Sequence, residues 1–286
     1  MKNKIFILLS LFILVLSMGV SAQVTQDDLL NGLVSYWKFD ETSGTTAVDS
    51  HGSNDGGVTG AVWTTGKINN GLDFGTSSQN RYVSVTQNTA LNDLHTDSFT
   101  VNAWIKPSGS GEGGSGRIMS KRSTTSSTGA GFLLFTRGTN GLGMEIIGGG
   151  SSIVARTFTD DSVISTSAWH MVSYVYDGSN IKIYVDGDEV TYSTQTSGST
   201  TDSSSRDLFI GNNEANQRKY DGLIDEVLIV NRAYTSDEVS ALYDIQKDGF
   251  ESGSYDFQAL APPTINNVST TNLTSTSVIL NYLVYI

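Results

Sequence analysis

An all-β fold, two antiparallel sheets packed as a sandwich with one short helix near the C-terminus, is the class that this 286-residue sequence predicts. Three observations carry the expectation. Between Leu33 and Asn231, short alternating apolar runs are separated by Gly, Ser, Thr, Asn and Asp, the pattern of half-buried strands and their turns. The chain holds 30 glycines and only 3 prolines, which suits many tight turns and uninterrupted strand ladders. Asp177-Gly178 and Asp186-Gly187 supply the positive φ that hairpin turns need.

In chain order, strands are expected over 33–39, 82–85, 117–121, 131–137, 141–147, 153–158, 208–211 and 223–230. At 99–106, Phe99, Val101, Ala103 and Ile105 fall on one face of a strand and Thr100, Asn102, Trp104 and Lys106 on the other, so one face goes inward. The clearest hairpin joins 171–176 to 181–185 across Asp177-Gly178-Ser179-Asn180, and a further turn at Asp186-Gly187 leads towards Val190 and Tyr192. The Ser/Thr-rich stretch 191–205 reads as a flexible loop. Gly109 to Gly116 also reads as a loop, because it lacks the Gly-Lys-Ser/Thr and the following helix of a phosphate cradle. Thr235 or Ser236 caps a helix of two to three turns, with Asp237 and Glu238 in its first turn. No heptads or internal repeats are evident.

The ends have other compositions. Lys2 and Lys4 precede an apolar run from Ile5 to Leu16 and a Val20-Ser21-Ala22 end, which reads as an export leader over 1–22, with an uncleaved anchor as the alternative. The run falls short of the roughly 20 apolar residues of a membrane span. Cleavage would place the protein outside the cell or on its surface. Residues 27–247 have the length of one sandwich domain, able to bury well over half of its unfolded surface. Residues 248–263, with Ala261-Pro262-Pro263, read as a linker, and 264–286 as the start of a truncated module, similar to the opening of a fibronectin type III or immunoglobulin-like domain.

Charge and cysteine usage exclude several functions. The formal charge is −12, and loss of the leader's two lysines would make it −14. A basic face for nucleic acid is not expected. With no cysteine, disulfides, thiolate metal sites and cysteine catalysis are absent, and stability rests on the core.

Five blocks then carry a family resemblance. They are Gly32 to Glu41 with Asp49 to Gly56, Ser98 to Pro107, Trp169-His170-Met171-Val172 with Tyr176-Asp177-Gly178, Tyr184-Val185-Asp186-Gly187, and Asp221 to Val227 with Asn231-Arg232-Ala233. In order and spacing they resemble laminin-G-like jelly-roll domains of the concanavalin A-like lectin/glucanase superfamily. The resemblance implies a two-sheet jelly-roll and paired first and last strands. Members of such a family serve as sugar binders, adhesion modules or spacers beside enzymes, so fold leaves activity open.

Three kinds of chemistry are candidates. Related domains often hold calcium, and Asp40, Asp49, Asn54 and Asp225 would supply hard oxygen ligands if the pairing of the terminal strands gathered them; turn-forming Asp and Asn are the alternative. The loop lacks the spacing and closing Glu of an EF-hand. Exposed aromatics stack on sugar rings, and Trp63, Tyr82, Trp104 and Tyr220 are candidates, whereas Trp37 and Trp169 read as core. Hydrolysis is not expected. Retaining glycosidases of this fold carry two glutamates on one strand face, about 5 Å apart. Here Asp225 and Glu226 are adjacent on an expected strand and should face opposite ways, and Glu145 has no acidic companion. His51, His95 and His170 show no metal spacing and no Gly-x-Ser-x-Gly elbow nearby. The reading is an extracellular, non-catalytic module that binds a glycan or polysaccharide, with a structural or adhesive spacer that meets protein partners as the alternative.

Overall fold

The computed structural model describes residues 24–122 and 129–248. The leader, the tail module and all of the linker but residue 248 lie outside these residues.

The chain opens with α1 (Gln26–Leu30), closed by a Thr25–Asp28 capping box, and then β1 (Leu33–Trp37), β2 (Thr46–Ala47) and β3 (Gly56–Thr59). Next come β4 (Val62–Thr65), β5 (Asn70–Asp73), β6 (Tyr82–Val85), the short helix α2 (Thr89–Asn92) and β7 (Phe99–Pro107). The middle of the chain forms β8 (Arg117–Lys121), β9 (Gly131–Arg137), β10 (Gly141–Ile147) and β11 (Ile153–Thr159). It is followed by β12 (His170–Tyr176), β13 (Ile181–Val185), β14 (Asp188–Glu189) and β15 (Tyr192–Thr196). The last elements are β16 (Leu208–Ile210), β17 (Gly222–Val230) and α3 (Ser236–Gln246).

These strands make the two antiparallel sheets of a jelly-roll sandwich. One sheet has eight strands in the order β14-β13-β12-β7-β17-β5-β4, with β1 added on β17; the other has nine, ordered β15-β11-β10-β9-β8-β16-β6-β3-β2. The first and last strands pair, Leu33 to Trp37 running against Val230 to Val227. Between the sheets the inward set of β7 meets β9, with the rings of Phe99 and Phe132 4.9 Å apart, and Trp37 is fully buried beside them in the same core.

Two expectations need correction. Residues 192–196 are a strand rather than loop, because β15 extends the nine-stranded sheet by pairing with β11. The outward set of β7 is not solvated: α3, capped by Thr235 as its sequence signals, lies over that face. There Trp104 stacks on Tyr243 at 5.9 Å and donates its Nε1–H to Gln246 Oε1 at 2.9 Å, and Lys67 Nζ stands 4.5 Å from its ring.

A third correction concerns β17. Its register against β7 shifts between Asp225 and Leu228, a β-bulge that puts Glu226 at φ +50°. Strict alternation fails there, so the opposite-face expectation for Asp225 and Glu226 does not apply. Asp225 accepts the amides of Lys67 (2.8 Å), Ile68 (3.0 Å) and Glu226 (2.9 Å), while burial pushes its pKa up to about 8. Glu226 accepts the Tyr36 hydroxyl, and burial holds its pKa well above the usual 4.5.

A raised folded-state pKa means that native Glu226 keeps a proton which the unfolded chain releases. Its contribution to stability is full below the ordinary glutamate pKa and is lost as pH rises towards the folded value. The melting temperature of the parent should therefore fall relative to that of Glu226→Gln as the pH rises from about 5 towards the alkaline range. Thermal melts of both chains across that range check this, and parallel curves would exclude it.

Candidate functional site

The residues expected to hold calcium occupy two separate places, and each is already engaged. Asp49 Oδ1 accepts the backbone amides of Tyr36 (2.9 Å), His51 (3.1 Å) and Gly52 (3.0 Å), and its Oδ2 accepts that of Asn54 (3.0 Å). Asn54 donates to Ser35 Oγ at 2.7 Å and accepts from Asn88, and its carbonyl takes the Trp37 indole N–H at 2.8 Å. Asp40 and Asp225 instead hold one turn from two sides: Asp40 accepts the Asn70 amide at 3.2 Å, and Asp225 takes those of Lys67 and Ile68. Among the described residues no three acidic or histidine side chains gather as a metal site. Backbone N–H groups occupy the oxygens that a cation would need, so this donor set does not fit calcium as arranged. It organises loops.

The four expected aromatic residues do not converge either. Trp104 lies beneath α3, and Tyr220 is fully buried in the core between the sheets, so neither offers a free ring face. Trp63 is half-buried on the edge strand β4, donating its Nε1–H to Gly44 O at 2.9 Å and meeting Phe39 edge-on. Tyr82 is the exception, for it is half-buried on the outer face of the nine-stranded sheet.

That outer face has the character of a site. Because α3 covers the outer side of the other sheet, this is the broad sheet face left without a covering helix among the described elements. Register fixes two rows of side chains across it. One runs Ser84, Phe209, Ser120, Leu133, Glu145, Arg156, Thr196 through successive partners from β6 to β15. The next carries Arg117 opposite Phe135, then Gly143, Phe158 and Thr194, with Tyr82 level with it on β6. At about 4.8 Å per strand, the span from Tyr82 to Phe158 covers five intervals, roughly 24 Å.

Aromatic rings and guanidinium groups share this face. Tyr82 and Phe209 pack edge-on at 5.6 Å, and Phe135 and Phe158 at 5.9 Å. Gly143 makes the second contact possible, since a Cβ there would stand 2.6 Å from the Phe135 ring. The Arg117 guanidinium lies 4.7 Å from the Phe135 ring, and Arg137 (4.6 Å) and Arg156 (4.9 Å) flank Phe158. Glu145 pairs with Arg156 at 2.7 Å. Polar atoms along β8 and just past its end remain unmatched: Ser120 Oγ, in a residue 1% exposed, Arg117 Nε and Arg122 Nε. One signal for the face lay in the sequence, the four consecutive apolar residues Phe132-Leu133-Leu134-Phe135, which a strand with one solvated face does not need.

A second constellation was not expected. Ser165 Oγ lies 2.8 Å from His170 Nε2, and His170 Nδ1 lies 2.8 Å from Asp186 Oδ2, the order of a Ser-His-Asp relay. However, the Ser165 backbone amide also donates to His170 Nε2 at 3.0 Å, and Asp186 Oδ1 accepts the Met171 amide at 2.9 Å. The amide that would help to stabilise an oxyanion is therefore spent on the imidazole. The relay pins the loop before β12 to the Asp186 turn.

Comparisons agree with the fold. The profile of a family described as the concanavalin A-like lectin/glucanases superfamily matches residues 74–240. No curated protein sequence matches. Among solved structures, the binding domain of Paraclostridial Mosquitocidal Protein 1 is similar at TM-score 0.59 and 17% identity, over 75% of this chain and 52% of that one. The chain thus spans about half the length of that structure. Domain 4 of AbnA, a GH43 extracellular arabinanase from Geobacillus stearothermophilus solved with arabinotriose, is similar at TM-score 0.52 and 19% identity, over 74% of this chain and 98% of that one. The ligand-binding domain of botulinum neurotoxin serotype D, solved with N-acetylneuraminic acid, gives TM-score 0.52 at 13% identity, over 74% and 50% of the two chains.

Removal of the Asp49 carboxylate should strand four backbone amides. Asp49→Ala is expected to cost about 3 kcal/mol of stability, and neither calcium nor a chelator should move the melting temperature of the parent by more than about 1 °C. Calorimetry checks both. A clear calcium-dependent rise in the parent would restore the metal assignment.

Proposed function

The chain belongs to the laminin-G-like group of the concanavalin A-like lectin/glucanase superfamily, and from that premise we propose that it is an exported, non-catalytic carbohydrate-binding module. The observation that carries the proposal is the outer face of the nine-stranded sheet, where aromatic rings alternate with hydroxyl, carboxylate and guanidinium groups along two register rows. Sugars present apolar C–H faces to rings and hydroxyls to polar groups. The half-buried positions of this face, Tyr82, Ser84 and Phe209 at one end and Arg156 and Phe158 at the other, offer both, while Ser120, Leu133, Phe135 and Glu145 between them are buried. The half-buried Tyr82 and Phe209 are the stacking pair of the reading, with Ser84 beside them for hydroxyls.

Two neighbours solved with a saccharide point the same way, since domain 4 of AbnA was solved with arabinotriose and the neurotoxin domain with N-acetylneuraminic acid. Export rests on the leader-like first 22 residues. No helix of the described residues is long and apolar enough to cross a membrane. The absence of turnover is argued from the site: Glu145 is paired with Arg156 and has no carboxylate facing it in its register row, and the amide of Ser165 is committed to His170.

Binding to a panel of soluble polysaccharides, read by calorimetry and affinity electrophoresis, tests this. At least one should bind without release of reducing ends, and Tyr82→Ala or Phe209→Ala should weaken it about tenfold, a loss of about 1.4 kcal/mol. Failure with every polysaccharide would transfer the chain to the spacer reading, and release of reducing ends would make it an enzyme.

A further inference from the structure

The charge of the outer face opposes that of the chain. The whole sequence is acidic, with 29 Asp and Glu against 17 Lys and Arg. Yet Arg117, Arg137 and Arg156 project from one face of the nine-stranded sheet, where they stand over Phe135 and Phe158. The face itself supplies one carboxylate, Glu145, and Arg156 takes it.

One further guanidinium group adjoins Arg117: Arg218 sits on the neighbouring loop, where its carbonyl accepts the Arg117 amide at 2.9 Å, while Arg122 follows the far end of β8. Burial, and next the like charge of Arg218, bring the Arg117 pKa down to about 10 against the opposing charge of Glu145, so it stays charged at neutral pH. Of the nearby acids, Glu112 pairs with Lys219 at 3.0 Å and Glu214 with Arg206 at 3.5 Å, while Glu214 Oε2 and Asp221 Oδ1 are buried without a hydrogen-bond partner. Arg117 reaches only uncharged oxygens, Ser115 O at 3.0 Å and Ser115 Oγ at 2.6 Å, and its Nε–H has no acceptor.

Such an arrangement costs stability unless something anionic arrives. Like charges gathered where water is partly excluded repel one another, and a buried donor without an acceptor forfeits its hydrogen bond. Rings behind the guanidinium planes fix their orientation, Arg156 turning its N–H edge to Glu145 and Arg117 giving Nη1 to Ser115. A carboxylate is the group that a guanidinium edge fits in a bidentate manner. It would also give Arg117 a second counter-charge beside that of Glu145.

We propose that the outer face of the nine-stranded sheet selects acidic polysaccharides, with Arg117 and Arg218 receiving a uronate-type carboxylate of the sugar chain and Tyr82 and Phe209 stacking on a neighbouring ring. The proposal rests on the carbohydrate-binding reading above and names its substrate class. A saccharide is favoured over an acidic peptide because the same two rows continue from the arginines into Tyr82, Phe209 and Ser84, a surface for C–H faces and hydroxyls.

The test uses one backbone in two charge states, polygalacturonate and its fully methyl-esterified form, with a neutral arabinan and poly-L-glutamate as further arms. The acid form should bind at least about tenfold more tightly than the ester, and the preference should shrink as salt rises. Arg218→Gln, at a half-buried loop position, should abolish the preference while the melting temperature holds, and Arg117→Gln should do the same if the chain folds. Equal binding of acid and ester, or binding of arabinan alone, would overturn the acidic assignment and leave the carbohydrate reading intact. Poly-L-glutamate binding as tightly as polygalacturonate would overturn the saccharide selection. Binding of no polysaccharide would overturn both.

Discussion

Strand β17 is paired along one edge with β7 and along the other with two different partners, and the rest of the sandwich is arranged around that division. Residues 223–224 hydrogen-bond in register with β5, and residues 227–230 with β1. The bulge against β7 at Asp225 to Leu228 falls where β17 passes from one of these partners to the other. The cost is visible in two places. Glu226 takes a left-handed backbone conformation, worth about 1–2 kcal/mol for a residue with a Cβ. Two adjacent carboxyls are also buried, and each finds its own partner: backbone amides of the 67–68 turn for Asp225, the Tyr36 hydroxyl for Glu226. These contacts tie the first strand, the β4–β5 turn and the last strand into one unit.

That closure decides which surface is left for binding. Once β17 reaches Val230, the chain turns at once into α3, whose capping box at Thr235 and Glu238 starts the helix above the eight-stranded sheet. Trp104, Tyr243 and Gln246 then close this side. The nine-stranded sheet receives no such cover from the described helices, so the apolar residues on its outer side, Leu133, Phe135, Ile147 and Phe158, form their own cluster, with arginine side chains over its rings. Segregation of the two faces follows from topology. The chemistry of the open face follows from which residues fall on the outward positions of β8 to β11.

Much of the sandwich was legible because period-two alternation and Asp-Gly turns are local signals. Strands β6, β8, β9, β10 and β13 have the bounds that the sequence suggests, and Thr235 caps the helix as its residue type implies. Short β2 to β5 and β15 were not legible. They are short, and their sequences, Gly-Gly-Val-Thr or Tyr-Ser-Thr-Gln-Thr, carry no alternating apolar face to mark them, so only the neighbouring strand shows that they are extended. The candidate site was legible in one residue, Tyr82. Trp104 was misplaced because alternation marks it as outward-facing without saying that a helix 140 residues later will cover it. The bulge hid the true disposition of Asp225 and Glu226 for a related reason: one inserted residue shifts every later side chain, and no local motif announces it. Arginines held on phenylalanines escaped notice because their proximity depends on cross-strand register among β8, β9 and β11.

The acidic residues of the chain show how one residue type is divided among roles. Asp49, Asp40 and Asp225 spend their oxygens on backbone amides, which is the work of a loop organiser and leaves little for a ligand. Asp186 does the same with Met171 and uses its second oxygen to orient His170. Glu145 is the acid on the two register rows of the open face, and its neighbour in the row is a cation rather than a second acid. A general acid and a nucleophile need two carboxyls held facing each other across a bond. Recognition needs only donors and acceptors at fixed spacing, and a β-sheet with locked register provides those. The same economy explains the relay of Ser165, His170 and Asp186: every polar atom in it that would help chemistry already has a structural partner, so its geometry records how a loop is held.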